Sequence, residues 1–140
     1  MEIISAGGNT LQKFRVAVIG SGPAGFFTAD ALLKNEDFEF SVDVFDRLPT
    51  PFGLVRFGVA PDHLKIKNVT RTFGKIATHP RFRFLGNVDV GTHVSVEELK
   101  QHYHLVCFAT GAQTDKRMGI PGEDLVGSHP ATDFVAPSTH

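Results

Sequence analysis

The fold is decided by residues 16–25, which read VAVIGSGPAG. The stretch begins as an apolar run with β-branched side chains and stops at a glycine, which is typical of a buried strand that ends in a tight turn. Gly20, Gly22 and Gly25 have the GxGxxG spacing. In that pattern the first glycine permits the turn, the second lets main chain approach a diphosphate, and the third lets a helix pack closely on the strand. Residues 16–25 therefore predict a dinucleotide-binding turn.

The residues around this turn predict a strand, a helix and a second strand. The apolar pattern favours strands over 14–19 and 40–45 and a helix over 23–33, with Pro23 in the first turn, where its missing N–H does no harm. Asp46 follows the second strand, where a carboxylate can accept hydrogen bonds from ribose hydroxyls. An acid there disfavours a 2′-phosphate, so the motif leaves NAD and FAD open. The alternative is a plain strand-to-helix turn with an unrelated acid nearby.

Further elements follow along the chain and indicate an α/β protein. Ser95 and Glu98 have the spacing of a capping box that opens a helix. The other segments show apolar periods of two or 3.6 residues between turn residues. The predicted elements are a loop that lines a site over 48–61, a helix from Asp62 to 78, paired strands over 82–90 across a turn at Gly86 and Asn87, a helix over 95–103 and a buried strand over 105–109.

Length and composition exclude several classes of protein. A chain of 140 residues has the size of one domain, and no apolar run reaches the roughly 18 residues that span a bilayer, so we expect a soluble protein. Cys107 is the single cysteine, which excludes a disulfide framework, a CxxC redox pair and a thiolate zinc cluster. The histidines show no convincing ligand set, so no metal is expected. Residues 1–15 have neither the apolar core of a secretory signal nor the Arg-rich, acid-poor composition of a transit peptide.

Charge is distributed unevenly along the chain. Residues 47–83 hold eight basic and one acidic group, whereas residues 1–46 and 84–140 each hold three basic and seven acidic groups. Such a block can dock an acidic partner by electrostatic attraction. It can equally be a solvated helix face.

Residues 46–63, DRLPTPFGLVRFGVAPDH, resemble the signature of the adrenodoxin reductase family, the NADPH:ferredoxin reductases of mitochondria and bacteria. The resemblance continues through KIKNVTRTF, RFRFLGNVDVG and ATGAQTDKRMGIPGEDLVGS, and it is closest to the bacterial branch. It implies an α/β, Rossmann-like FAD-binding domain with a parallel sheet and a small β-strand insertion. That domain is the N-terminal portion of a flavoprotein with two dinucleotide-binding domains. FAD thereby becomes the expected cofactor in place of NAD.

The resemblance also implies the residues of the adenosine and diphosphate site. Gly20, Gly22, Pro23 and Ala24 would lie along the FAD diphosphate, with Gly25 completing the motif. Asp46 would hold the adenosine ribose, where relatives usually have the longer Glu.

Four further positions are implied on the remaining parts of FAD. The backbone of Leu54 would border the flavin, and the main chain of Val90 would meet the adenine; the alternative for both is an ordinary core residue. Gly111 closes the ATG motif of residues 109–111, which would lie against the cofactor or form a simple turn. His63 would lie near the flavin as the catalytic group that tunes reduction or relays a proton; alternatively it starts a helix beside Asp62.

The implied activity is that of the full-length family member. NADPH reduces FAD, and the partner is an acidic, iron-sulfur ferredoxin; no nucleic acid and no membrane span are expected. Residues 1–140 would form an FAD-binding domain that is incomplete at its C-terminus and lacks the NADPH-binding domain, so the chain alone is expected to be inactive. The expected compartment is the bacterial cytoplasm or, in a eukaryote, the mitochondrial matrix. The alternative is a truncated, non-catalytic module that binds a nucleotide or a partner.

Overall fold

The computed structural model describes residues 11–53, 64–112 and 116–130, with only the backbone given for residues 64–68. Leu54, Asp62 and His63 therefore lie outside the described residues. The strands are β1 (Lys13–Ile19), β2 (Glu39–Phe45), β3 (Phe82–Leu85) and β4 (Leu105–Phe108), and the helices are α1 (Pro23–Leu33), α2 (Leu64–Ala77) and α3 (Val96–His102).

The four strands form one parallel sheet in the order β3-β2-β1-β4. Val16 of β1 lies opposite Val42 of β2 on one side and Leu105 of β4 on the other. All four strands therefore end at the same edge of the sheet. The order of the strands reverses between β1 and β4, and ligands of open α/β sheets bind at such a reversal, beyond the carboxyl ends of the strands. The predicted parallel α/β fold is confirmed.

One face of the sheet is covered by α1 and α2. Alternate residues of the central strands meet aromatic side chains from both helices, and Phe26 of α1 stacks on Phe73 of α2 with ring centroids 4.7 Å apart. Both rings are fully buried, and burial of such a side chain contributes about 1.5–3 kcal/mol. This core holds α1 in place behind the turn that precedes it.

The other face is covered in part by α3. Leu99 packs with Ala17, Ile19 and Phe45 in a second buried cluster. The predicted capping box is present, since the Ser95 hydroxyl accepts the Glu98 N–H while the Glu98 carboxylate accepts the Ser95 N–H. No helix among the described residues is long and apolar enough to cross a membrane.

The prediction of paired strands over 82–90 is wrong. Residues 82–85 form β3 at the edge of the main sheet, parallel to β2, and Val90 makes only an isolated bridge with Val94. The Val88 N–H donates to the carbonyl of Asp46 at 2.9 Å, and both valines pack on the second cluster. An alternating apolar pattern suits any half-buried extended chain, so it did not distinguish a hairpin from a parallel strand followed by a packed loop.

The prediction that the fourth strand is buried is also wrong. Leu105 and Phe108 are 47% and 61% exposed. Among the described residues β4 pairs with β1 alone, which leaves it as an edge strand.

Candidate cofactor-binding site

The candidate site lies where β1, β2 and β4 end. The Gly20 N–H donates to the carbonyl of Phe45 at 2.7 Å, and the Ala109 N–H donates to the carbonyl of Ile19 at 2.7 Å. These bonds join the ends of the three strands just before Gly20, Asp46 and Gly111. The structure thus brings three of the predicted site residues to one edge, at the reversal of strand order.

Gly20 and Gly25 are required by contacts within the protein. Gly20 has φ +110°, and a Cβ added to it would overlap the carbonyl oxygen of Ala109. A Cβ on Gly25 would overlap the carbonyl oxygen of Gly20. Neither neighbour can move out of the way easily, because both are backbone atoms. The first and third glycines of the motif therefore serve the tight turn and the close packing of α1.

Gly22 is different, because nothing in the described protein requires a glycine there. Its backbone is extended, with φ −73° and ψ −175°, which any residue can adopt. An added Cβ would meet no atom within 4 Å. A missing side chain beside open space fits a ligand that approaches the main chain closely.

The N-terminus of α1 opens onto the same space. The helix begins with the bond from the Phe26 N–H to the Gly22 carbonyl at 3.1 Å. Among the described residues no side chain caps this end, the first turn has no acidic residue, and Pro23 and Ala24 are exposed. Uncapped N–H groups and the positive end of the helix dipole favour an anion at this position. The turn therefore fits a diphosphate.

Asp46 is bound to the glycine turn through Ser21. One carboxylate oxygen of Asp46, Oδ2, accepts the Ser21 N–H at 2.7 Å and the Ser21 hydroxyl at 2.5 Å. Its other oxygen, Oδ1, accepts the Leu48 N–H at 2.9 Å. Ser21 is fully buried. This carboxylate therefore fixes the position of the turn relative to the end of β2.

Ser21 was not among the residues predicted for the site. Its position inside the motif is written as x, and no local pattern links it to an acid 25 residues away. A small hydroxyl residue directly after the first glycine was the available signal.

The loop after Asp46 packs onto the glycine turn. The Phe52 N–H donates to the carbonyl of Ser21 at 3.1 Å, and the Phe52 ring lies 5.1 Å from that of Phe26. Phe52 has φ +91°, a conformation that costs a non-glycine residue about 1–3 kcal/mol. A Cβ on Gly53 would lie 3.3 Å from the Gly22 Cα. Packing and hydrogen bonding therefore hold a strained backbone directly beside the proposed diphosphate position.

The remaining predicted site residues are Val90, Gly111, Leu54 and His63. The Val90 side chain packs on the second cluster, as expected of an ordinary core residue, and a contact from its main chain to adenine stays a prediction. Gly111 is exposed after β4, with no atom within 4 Å of an added Cβ. Leu54 and His63 lie outside the described residues.

The basic residues of segment 47–83 do not form a single surface in the part that the structure describes. Arg71 and Lys75 are exposed on α2. Arg83 alternates along β3 with Phe82 and Phe84, which belong to the α1 and α2 face, so its side chain lies on the opposite face. An acidic partner cannot contact all of these cations from one side.

Comparison with known proteins identifies the fold and the relatives. Residues 18–88 match the model of the NAD(P)-binding Rossmann-like domain. NADPH-ferredoxin reductase FprA of Mycobacterium tuberculosis is 53% identical over 129 residues, which is 89% of this chain and 28% of that protein. The mitochondrial NADPH:adrenodoxin oxidoreductase of Salvelinus fontinalis is 54% identical over 121 residues, which is 86% of this chain and 24% of that protein.

A solved structure of Mycobacterium tuberculosis FprA in complex with NADPH has a TM-score of 0.79 and 53% identity to this chain. The match covers 89% of this chain and 28% of that one, so the chain spans little more than a quarter of this relative. These matches confirm the predicted resemblance to the adrenodoxin reductase family. Because residues 18–88 match its model and the chain has a parallel sheet with a glycine turn, the chain belongs to the NAD(P)-binding Rossmann-like domain family.

Proposed function

We propose that this chain binds FAD at the glycine turn and forms the FAD-binding part of an NADPH:ferredoxin reductase. The observation that carries the proposal is the place of Gly22 at the N-terminus of α1, where no described side chain caps the helix and an added Cβ would meet no described atom within 4 Å. The relatives named for reduction of ferredoxin or adrenodoxin support the activity.

The diphosphate would be held by main chain rather than by side chains. Gly22, Pro23 and Ala24 line the open N-terminal end of α1, where free N–H groups and the helix dipole attract negative charge. Gly20 and Gly25 act indirectly, since their packing fixes the turn against β4 and the helix against the turn.

Asp46 would contact the adenosine ribose through its oxygen Oδ1. A carboxylate has about four acceptor positions, and the described residues occupy three of them: two on Oδ2 through Ser21 and one on Oδ1 through Leu48. One position on Oδ1 remains for a ribose hydroxyl. A carboxylate at this position also disfavours a 2′-phosphate.

The remaining predicted residues complete the proposed site. The main chain of Leu54 would border the flavin, that of Val90 the adenine, and Gly111 would let the end of β4 approach the cofactor. His63 would relay a proton near the flavin. Bound FAD would supply the chemistry, accepting a hydride from NADPH and delivering single electrons to an acidic ferredoxin. The relatives include bacterial and mitochondrial proteins, and we propose the bacterial cytoplasm or the mitochondrial matrix as the compartment.

FAD binding is tested by titrating the purified chain with FAD and following the quenching of flavin fluorescence. We expect saturable quenching by the chain. Gly22→Ala should weaken the binding, whereas the control variant Gly74→Ala should leave it unchanged. Gly74 is a matched control because an added Cβ there also meets nothing within 4 Å, but it lies within α2 and not in the turn. Absence of saturable binding would contradict the proposal.

The activity is tested in a chimera in which this chain replaces the matching part of the Mycobacterium tuberculosis relative. We expect NADPH-driven reduction of a ferredoxin. A chimera that holds FAD but reduces no ferredoxin would contradict the reductase activity and leave a cofactor-binding module.

A further inference from the structure

A concave site lies on the sheet face that α3 covers in part. It is a pocket of about 290 Å³, lined by Arg15, Ser41, Asp43, Pro80, Arg81 and Arg83. Arg15 pairs with Ser41 and Asp43 pairs with Arg83 in the register of the sheet. The pocket lies along the strands rather than beyond their carboxyl ends, so it is separate from the glycine turn.

Asp43 anchors the pocket and is fully engaged. It is 4% exposed, and its carboxylate accepts two bonds from Arg83, from Nε at 2.6 Å and Nη2 at 2.5 Å, and one from the Tyr103 hydroxyl at 2.6 Å. Burial acts to raise the pKa of Asp43, but the hydrogen bonds from Arg83 and Tyr103 outweigh it and hold the pKa below its usual value. The carboxylate therefore stays charged and fixes the guanidinium of Arg83.

The other two arginines of the pocket are anchored by different partners. Nη2 of Arg81 donates to the carbonyl of Leu33 at 3.1 Å, at the end of α1. Arg15 lies over the ring of Tyr103, with its Cζ 5.0 Å from the ring centroid, and its Nη2 is 3.6 Å from Asp43. Each anchor uses only part of a guanidinium that has five N–H donors.

The lining of the pocket has an excess of positive charge. Three arginines and one aspartate line it, and the side chains of Arg15 and Arg83 remain 50% and 61% exposed. The excess of two positive charges balances a phosphate dianion, and guanidinium groups suit phosphate oxygens because they donate parallel pairs of hydrogen bonds. The volume is near the lower limit of about 300 Å³ for small-molecule sites and many times the ~30 Å³ share of one water.

We propose that this pocket binds the phosphate group of a small phosphorylated ligand. The arginines would hold the phosphate, and the rest of the pocket would take a few further atoms beside Ser41 and Pro80.

The test is an NMR titration of the ¹⁵N-labelled 140-residue chain with inorganic phosphate at constant ionic strength. We expect saturable shifts of the Arg15, Ser41 and Arg83 amides. Arg15→Gln should weaken binding about tenfold, whereas Arg71→Gln should change it less than twofold. Arg71 is the matched control because it loses the same charge from an exposed position on α2.

Titrations with other ligands distinguish the possible ligand classes, and a conservative variant controls for misfolding. Glycerol phosphate should bind at least as tightly as inorganic phosphate, and acetate should bind more weakly. Arg15→Lys keeps the charge but loses the forked donor, so it should give an intermediate affinity. Shifts that never saturate, equal losses from Arg15→Gln and Arg71→Gln, or shifts confined to residues 20–25 would overturn the proposal.

Discussion

Replacement of Gly22 by alanine should separate the stability of the protein from its capacity to bind FAD. The backbone at Gly22 suits alanine, and an added Cβ meets no protein atom within 4 Å. The same Cβ would stand in the space in front of α1, where we place the diphosphate. The variant should therefore fold normally and lose affinity for the cofactor.

The two effects of Gly22→Ala differ in size. Alanine at a helix N-cap is less favourable than glycine by up to about 1 kcal/mol. Alanine also restricts the unfolded chain more than glycine does, which stabilises the folded state by about 0.4–1 kcal/mol. The net change in unfolding free energy should thus stay within about 1 kcal/mol. Displacing the diphosphate from even one N–H should cost about 1.5–3 kcal/mol of binding, because hydrogen bonds to charged groups have this size, which corresponds to an affinity about 10- to 150-fold lower.

Urea unfolding and a titration with FAD, made on the wild-type chain, Gly22→Ala and Gly74→Ala, measure the two quantities. Gly74→Ala should increase stability by up to about 1 kcal/mol, as expected for glycine replaced within a helix, and should bind FAD normally. If Gly22→Ala binds FAD as tightly as the wild type, the diphosphate does not lie against this residue.

Three further predictions concern the contacts around the site and the sheet. Gly25→Ala should destabilise the fold by about 1–3 kcal/mol in urea unfolding, since its Cβ overlaps the Gly20 carbonyl; a change below about 0.5 kcal/mol would mean that α1 is free to shift. Ser21→Ala should cost about 1.5 kcal/mol in the same assay, because a hydrogen bond to the Asp46 carboxylate is lost, and an unchanged midpoint would contradict that bond. Burial and the bond to Asp43 raise the pKa of Tyr103 from 10.0 to about 12. The folded state is therefore stabilised by the protonated phenol in full below pH 10, and this stabilisation is lost as the pH rises from 10 towards 12. Tyr103→Phe should abolish that part of the pH dependence of unfolding, and an unchanged profile would argue against the contact.

Local patterns in the sequence predicted those parts of the fold that depend on neighbours along the chain. The helix expected over 23–33 is α1 with the same bounds, because Pro23 and the apolar period both act locally. The capping box at Ser95 likewise depends on two residues three positions apart. Local chemistry was sufficient in both cases.

Features that depend on distant residues could not be predicted in this way. The exposure of Phe108 depends on whether another strand lies beside β4, which an apolar run does not encode. The bond from Ser21 to Asp46 and the pairing of Asp43 with Arg83 arise from the register of the parallel sheet. Alternation could not show whether residues 82–90 pair with each other or with β2.

In the proposed complex, main chain at the end of β1 holds the diphosphate of FAD. The most direct measurement is a titration of the ¹⁵N-labelled chain with FAD, with the backbone amides followed by NMR. The largest shifts should occur at Gly22, Ala24 and Gly25, with smaller shifts at Asp46. Saturable binding that leaves these amides unchanged, or no binding at about 1 mM FAD, would contradict FAD binding at this turn.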